Sequence, residues 1–369
     1  MSTHSKEPRV RLVKRGGNIV ARNITVRLLA IVLSLLVSGI VIFAITGLNP
    51  LAVYAGLWDG AVGTSRRFWI TLRDAAILLC IGYAVMPAFR MRFWNVGAEG
   101  QVLMGAAACA ACMIYGREWP SWLLYAACPI AGMLVGMLWA VIPAFFKAHW
   151  NTNETLFTLM MNYLATQVVS FCIIYWENPK GSNHVGLINS TGKVGWLPGV
   201  FGNNYLLPIL IVVVLMEVLY VYMHYSKQGF EISVVGESES TAHYVGINVK
   251  RVIIRTMAIC GLFAGLAGYL LCAGIGHTIS TTLVGGNGFT AIIVAWLGKL
   301  NPYAMLAVAF LLTFMGNGAN QIASQFGLNE NASDIITGII LFFILGCELF
   351  IRYKFEFTGR HKEKEAVKC

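Results

Sequence analysis

Apolar runs long enough to cross a bilayer recur from Leu28 almost to the C-terminus, separated by short polar breaks. About 20 apolar residues in a helix span the hydrocarbon core. Ten runs fit, near residues 28–47, 68–89, 96–115, 121–146, 155–176, 205–223, 255–275, 287–298, 303–322 and 334–351. A membrane β-barrel would instead show alternating segments of roughly 10 residues, which this chain lacks. The pattern predicts an all-α integral membrane fold of about ten transmembrane helices.

The eighth run is too short to cross alone at about 1.5 Å per residue, so a discontinuous eighth segment is expected. The preceding stretch 277–287 approaches Gly285, Gly286 and Gly288 and suits an extended partner. Irregular backbone at membrane depth is tolerated only where it is buried in protein or lines a cavity, which marks this segment as a pathway candidate. Two polar connections are long. One, at about 177–204, reads as an irregular cap over the outer mouth; the other, at about 224–255, is the most polar stretch between the termini.

Polar residues open several helices in a repeating way. Gly97-Ala98-Glu99-Gly100 opens the third run and Gly285-Gly286-Asn287-Gly288 the eighth, 188 residues later. Asn153-Glu154-Thr155 opens the fifth and Asn331-Ala332-Ser333-Asp334 the tenth, with Asp334 180 residues after Glu154. Counting crossings puts the first member of each pair at the inner face and the second at the outer face. That is the expectation for an inverted repeat, spans 2–5 against spans 7–10, related by an axis in the membrane plane.

Composition agrees with a lipid solvent. Hydrophobic residues make up 57% and charged residues 12% of the 369, and the mean hydropathy is +0.68, too few charges to clothe a soluble globule. The formal charge of +10 would suggest nucleic acid in a soluble protein, but its distribution is a topology signal. Seven basic residues precede the first run and six follow the last, so the positive-inside rule puts both termini in the cytoplasm. The expected organisation is a basic segment 1–27, a transmembrane domain 28–352 and a basic tail 353–369. The first run is too long for a cleaved secretory signal and is read as an uncleaved helix. Nine scattered cysteines, including Cys109 and Cys112, are read as small core residues.

Candidate chemistry is sparse. No G-x-x-x-x-G-K-[ST] loop is present, since Val194 follows Gly192-Lys193 and Leu300 follows Gly298-Lys299, and no H-E-x-x-H or G-x-S-x-G occurs. No catalytic residue and no metal site are assigned. Glu99 and Glu154 open helices, where free N–H groups and the macrodipole stabilise a carboxylate. They are equally read as pathway residues, because buried acids are costly unless used. Asn95 and Gln101 accompany Glu99, while Glu154, Thr158 and Asn162 fall at i+4 steps on one polar stripe. Arg67, seven residues back on the same side of the helix, is the expected partner of Asp74 in preference to its neighbour Arg73. His277 is weighed mainly as structural.

The internal connection carries the strongest local motif: Gly236-Glu237-Ser238-Glu239-Ser240-Thr241-Ala242-His243-Tyr244-Val245-Gly246. Ser238 suits an N-cap and Gly246 a left-handed C-terminal position, enclosing a helix of about two turns.

These stretches resemble a known family. Phe93-Trp94-Asn95-Val96-Gly97-Ala98-Glu99-Gly100-Gln101 is similar to the N-x-G-x-E-G-Q block of permeases of ABC importers related to the ribose and branched-chain amino acid permeases. It looks most like the larger permease subunit of bacterial nucleoside importers. Asn153-Glu154 followed by Thr158-Leu159-Met160-Met161-Asn162-Tyr163, and Gly288-Phe289 through Ala295-Trp296-Leu297-Gly298 with Pro302, resemble further blocks. Residues 236–247 resemble the loop that receives force from an ATPase, with Ser238, Ser240 and Thr241 departing from the usual pattern; Trp296 is also bulkier than the family's usual Leu.

The resemblance implies a permease of the bacterial plasma (inner) membrane, paired with a second, shorter permease as a heterodimer. It implies cytoplasmic ATPase subunits carrying ATP and Mg, and an extracytoplasmic nucleoside-binding protein; nucleic acid is not an expected partner. Asn95, Glu99, Gln101, Glu154, Thr158, Asn162, Asn287, Phe289 and Asp334 are the expected pathway residues. The alternatives are a permease of this family for a sugar or other small polar metabolite, and an ion-gradient-driven secondary transporter using the intramembrane acids.

Overall fold

The computed structural model describes residues 10–14, 20–327 and 353–357, with isolated positions between 335 and 346. Asp334 and most of the expected tenth span lie outside the described residues. In chain order come β1 (Val10–Lys14), α1 (Val20–Thr46), α2 (Pro50–Val62), α3 (Ser65–Arg90), α4 (Ala98–Tyr115), α5 (Ser121–Trp150) and α6 (Glu154–Trp176). There follow α7 (Leu206–Tyr225), α8 (Lys227–Glu237), α9 (Glu239–Tyr244), α10 (Val249–Leu271), α11 (Asn287–Leu297), α12 (Pro302–Phe326) and β2 (Tyr353–Phe357). A π-helical turn, Cys272–Gly276, extends α10.

Among the described residues seven helices are long and apolar enough to cross a membrane: α3, α4, α5, α6, α7, α10 with its π turn, and α12. The chain is an all-α membrane protein. Side-chain caps start many of these helices where the sequence changes from polar to apolar. Asn49 accepts from Leu51 N at 3.0 Å, Thr64 from Arg67 N at 3.2 Å, Asn153 from Leu156 N at 3.1 Å, and Asn248 from Arg251 N at 3.1 Å. Helix α2 was not anticipated; its Asn49 cap and Pro50 at the first turn are an ordinary helix start. It is only 13 residues long, short for a span.

The chain divides into two compact units, one of residues 1–63 and 315–369, the other of 64–314. In the first, α1 and α2 form a hairpin in which Ser38 Oγ lies 2.8 Å from the Tyr54 hydroxyl. The end of α12 closes on α2, where a Cβ on Gly60 would stand 3.1 Å from the Gly318 Cα. Strands β1 and β2 pair antiparallel, Val10 opposite Phe357 and Lys14 opposite Tyr353. Paired strands must share one side of a bilayer, so an even number of crossings separates them.

In the second unit α3, α4 and α10 are the inner helices, each two-thirds buried over its most apolar stretch, while α5 and α7 are under one-third buried. Lipid tails are as apolar as leucine, so burial of apolar side chains does not by itself drive helices together; close packing does. Glycines provide it. Gly132 and Gly136 of α5 face Gly261 and Gly265 of α10, two G-x-x-x-G pairs, with Gly105 of α4 completing the seam. A Cβ on Gly136 would stand 2.5 Å from the Gly261 carbonyl oxygen, and one on Gly105 would stand 2.5 Å from the Gly265 Cα. A Cβ on Gly265 would run into the Gly132 carbonyl.

One sequence expectation is corrected. The Arg73 guanidinium reaches back to its neighbour Asp74, with Nη2 and Nε donating to Oδ1 at 2.7 and 2.9 Å. A long flexible side chain overcomes the divergence of adjacent positions on the helix.

Because the clash at Gly265 is with the α5 backbone at Gly132 and Met133 rather than with a flexible side chain, Gly265→Leu should cost at least about 3 kcal/mol, the upper end of ordinary overpacking. A strongly lowered unfolding midpoint in detergent is expected. Gly316→Ala on α12, where an added Cβ meets nothing among the described residues, should leave the midpoint close to the parent.

Candidate functional site

Helix α4 begins after an irregular stretch, residues 91–97, that turns back into the protein, with Phe93 and Asn95 buried. Nothing at its N-cap position, Gly97, can supply a side-chain bond. Asn95 takes up the task two residues earlier, its Oδ1 accepting from Gly97 N at 3.1 Å and from Gln101 Nε2 at 3.1 Å. The remaining bonds come from α6. Thr158 Oγ1 accepts from Val96 N at 3.2 Å, Asn162 Oδ1 accepts from Gly100 N at 2.8 Å, and Asn162 Nδ2 donates to the Val96 carbonyl at 2.9 Å. The polar stripe on α6 thus binds the irregular opening of α4, as buried backbone polar groups require.

Glu99 points elsewhere. Its Oε1 accepts from Gly286 N at 2.8 Å and its Oε2 from Gly288 N at 2.7 Å. The carboxylate in the first turn of α4 therefore caps the N-terminus of another helix, α11, combining charge-assisted hydrogen bonds with the favourable end of the macrodipole. Gly286 has φ of +79°, a left-handed conformation that glycine adopts without strain. At Gly288 a Cβ would stand 2.5 Å from Glu99 N, so only glycine lets the two openings come this close.

This contact corrects the expectation that the openings of α4 and α11 lie at opposite faces: they share one depth. With 11 residues, α11 spans about 16 Å at 1.5 Å per residue, roughly half of a 30 Å hydrocarbon core. As expected, irregular chain precedes it, with the π turn of 272–276, His277 in a left-handed conformation and turns through residue 286.

The other expected residues divide by position. Glu154 ion-pairs with Lys147 Nζ at 2.9 Å, joining the start of α6 to the end of α5, each charge at the helix end that favours it. Asn287 is half-buried at the first turn of α11, and Phe289 is exposed. Trp296, at the far end of α11, stacks on Trp94 with centroids 5.5 Å apart. Glu217 on α7, passed over in the sequence, accepts from the Tyr303 hydroxyl at 3.1 Å; an acid inside an apolar run was the available signal.

Loop 177–204 is fastened over the ends of α4 and α10. Asn189 Nδ2 donates to the Met113 carbonyl at 2.7 Å, Leu197 N to the Ala273 carbonyl at 3.0 Å and Ile188 N to the His277 carbonyl at 2.8 Å. Trp196 lies flat on the His277 ring, centroids 3.7 Å apart. Burial holds the His277 pKa below its ordinary value, so this ring stacks uncharged at neutral pH.

At the opposite end of α10, the polar connection folds into α8 and α9. Ser238 caps α9, accepting from Thr241 N at 3.2 Å, and Gly246 follows with φ of +79°, both as expected. Helix α8 was not anticipated. It packs on the end of α3, where Arg90 Nε donates to Ser233 Oγ at 3.3 Å. Of α9 only Ala242 is buried; Tyr244 is 92% exposed.

Residues 67–345 match the family described as the permease component of branched-chain amino acid transport systems, and the chain belongs to that family of transport subunits. Relatives extend over nearly its whole length. The guanosine ABC transporter permease protein NupP of Bacillus subtilis is 29% identical, covering 90% of this chain and 94% of that protein. The nucleoside ABC transporter permease protein NupB of Lactococcus lactis is 27% identical over 88% and 91%. The glucose ABC transporter permease protein TsgB13 of Haloferax volcanii is 25% identical over 88% of each.

If the Glu99 carboxylate holds α11, Glu99→Gln should destabilise by about 1–3 kcal/mol, because a carboxamide offers one oxygen where two N–H groups need acceptors. Glu99→Ala should cost more. Unfolding midpoints in detergent, with Trp296 fluorescence as the local reporter, check the order; an unchanged Glu99→Ala protein would remove the capping role.

Proposed function

We propose that this chain is one permease subunit of an ATP-driven nucleoside importer in a bacterial plasma membrane, with both termini cytoplasmic. The observation that carries the reading is similarity to guanosine and nucleoside permeases over about nine-tenths of the chain and of those proteins. The glucose permease relative supports a second reading, a sugar permease; a nucleoside itself contains a sugar.

Pairing has its own support. A second guanosine permease protein of Bacillus subtilis, NupQ, is 24% identical to this chain over 66% of its length, so one organism carries two such permeases under one substrate name. A heterodimer with a second, shorter permease follows, with ATP and Mg held by cytoplasmic ATPase subunits and substrate delivered by an extracytoplasmic nucleoside-binding protein.

Within this reading Glu99, Asn287 and Phe289 stand where two broken helices open towards each other, and they border the pathway. Asn95, Gln101, Thr158 and Asn162 hold that opening in shape. Glu154 fixes the neighbouring helix ends. Asp334, outside the described residues, is carried as the repeat partner of Glu154. Transport needs no covalent step: ATP binding moves residues 236–246 and the membrane helices tilt around the pathway. The exposed Tyr244 and Val245 offer an apolar surface for the ATPase to grip.

Proteoliposomes containing the full complex should accumulate labelled nucleoside only with ATP, competed by other nucleosides far better than by glucose. Uptake that persists without ATP and follows a proton gradient would overturn the reading. Gly246→Val, strained at its positive φ, and Glu239→Arg should each abolish ATP-driven uptake while membrane insertion is retained. Normal uptake in both variants would release residues 236–246 from the coupling role.

A further inference from the structure

Where α8 leads into α10 there is a cleft of about 540 Å³, lined by Lys227, Glu231, Arg251 and Arg255 among others. It opens beside a shallower groove of about 430 Å³ that shares Asn248, Arg251 and Arg255 and adds Ile254, its one apolar side chain, with Lys250 and His149. We propose that the two together hold one acidic phospholipid, its phosphate in the cleft and an acyl chain along the groove.

The charge balance asks for an anion. Three cations and one carboxylate line the cleft, and that carboxylate, Glu231, is taken up by Arg255 at 2.9 Å. Among the described residues no carboxylate lies within ion-pair distance of Lys227, Lys250 or Arg251. The Arg255 Nε is buried without a hydrogen-bond partner. Arg251 and Arg255 are also i, i+4 on α10, a repulsive arrangement. Lys250 and Arg251 sit in the first turn of α10, which has no acidic residue, so two cations stand at the positive end of a helix dipole. A bound phosphate reverses all three penalties.

The site's depth and shape favour a lipid over free phosphate. The cleft lies at the ends of α5, α7 and α10, where Trp150 and Tyr225 are largely exposed, the aromatic pattern of a bilayer surface. A cationic cleft that opens on Ile254 and the long stems of Lys250 and Arg251 fits an amphipathic ligand with an anionic head, and basic clusters beside transmembrane helices attract acidic lipid.

Native mass spectrometry of the full-length chain, with lipid supplied from mixed micelles, tests the site. The parent should retain one phosphatidylglycerol in preference to phosphatidylcholine. Lys227→Gln with Arg251→Gln should weaken that retention at least about tenfold, roughly 1.4 kcal/mol, whereas Arg251→Lys should keep it. Melting in phosphatidylcholine nanodiscs controls for folding; if the double variant melts low, Arg251→Gln alone is read in its place. Equal retention of the two lipids, or retention unchanged in the variants, would overturn the proposal. So would displacement by inorganic phosphate, which would make the site one for the free ion, and displacement on adding the ATPase subunit, which would assign the cleft to a protein contact.

Discussion

In hydrocarbon there is no water to satisfy a free N–H, and a helix that starts at membrane depth exposes several. The two oxygens of Glu99 answer that constraint for α11. Because they come from the first turn of α4, the starts of the two helices depend on each other for position. Most of the unusual chemistry of the second unit follows: glycine at 286 and 288 so that the carboxylate can reach the backbone, and Asn95, Thr158 and Asn162 so that the start of α4 is itself held. Removing any one of these groups leaves a polar atom in a medium that cannot replace its partner.

The glycine seam plays the complementary part. Hydrogen bonds fix the irregular segments, while Gly105, Gly132, Gly136, Gly261 and Gly265 bring α4, α5 and α10 into backbone contact. The bonded openings at one end of α4 thus rest on a closely packed base of three helices. On the side away from this seam α5, like α7, leaves a long apolar face exposed to lipid or to protein partners.

Much of this was legible in the chain. Hydropathy runs located the spanning helices because a bilayer demands length and apolarity together, and the shortness of the eighth run announced a broken helix. The short helix α9 was legible because Ser238 and Gly246 are local signals whose meaning does not depend on tertiary contacts. Other features needed three dimensions. Glu99 could be seen to open a helix, but periodicity cannot tell that its oxygens face glycines 187 and 189 residues away. Counting crossings put the two openings on opposite faces, since a count treats each run as a full traverse and cannot register a helix starting in mid-membrane. Arg73 and Asp74 defeated a rule about helix faces, because side-chain length outreaches backbone geometry. The paired G-x-x-x-G motifs were present in the sequence, and they acquire meaning once the two helices are known to face each other.

Helix α10 begins at the basic cleft beside α9 and ends beneath loop 177–204, where Trp196 rests on His277 and the Ala273 and His277 carbonyls accept from the loop. Its 23 residues make a strut of about 35 Å, anchored by side-chain and backbone bonds at both ends and gripped by glycines along its middle. Such a strut gives the two surfaces a single support: the bonds that hold loop 177–204 and the basic cleft both rest on one continuous helix whose middle is held by backbone contact.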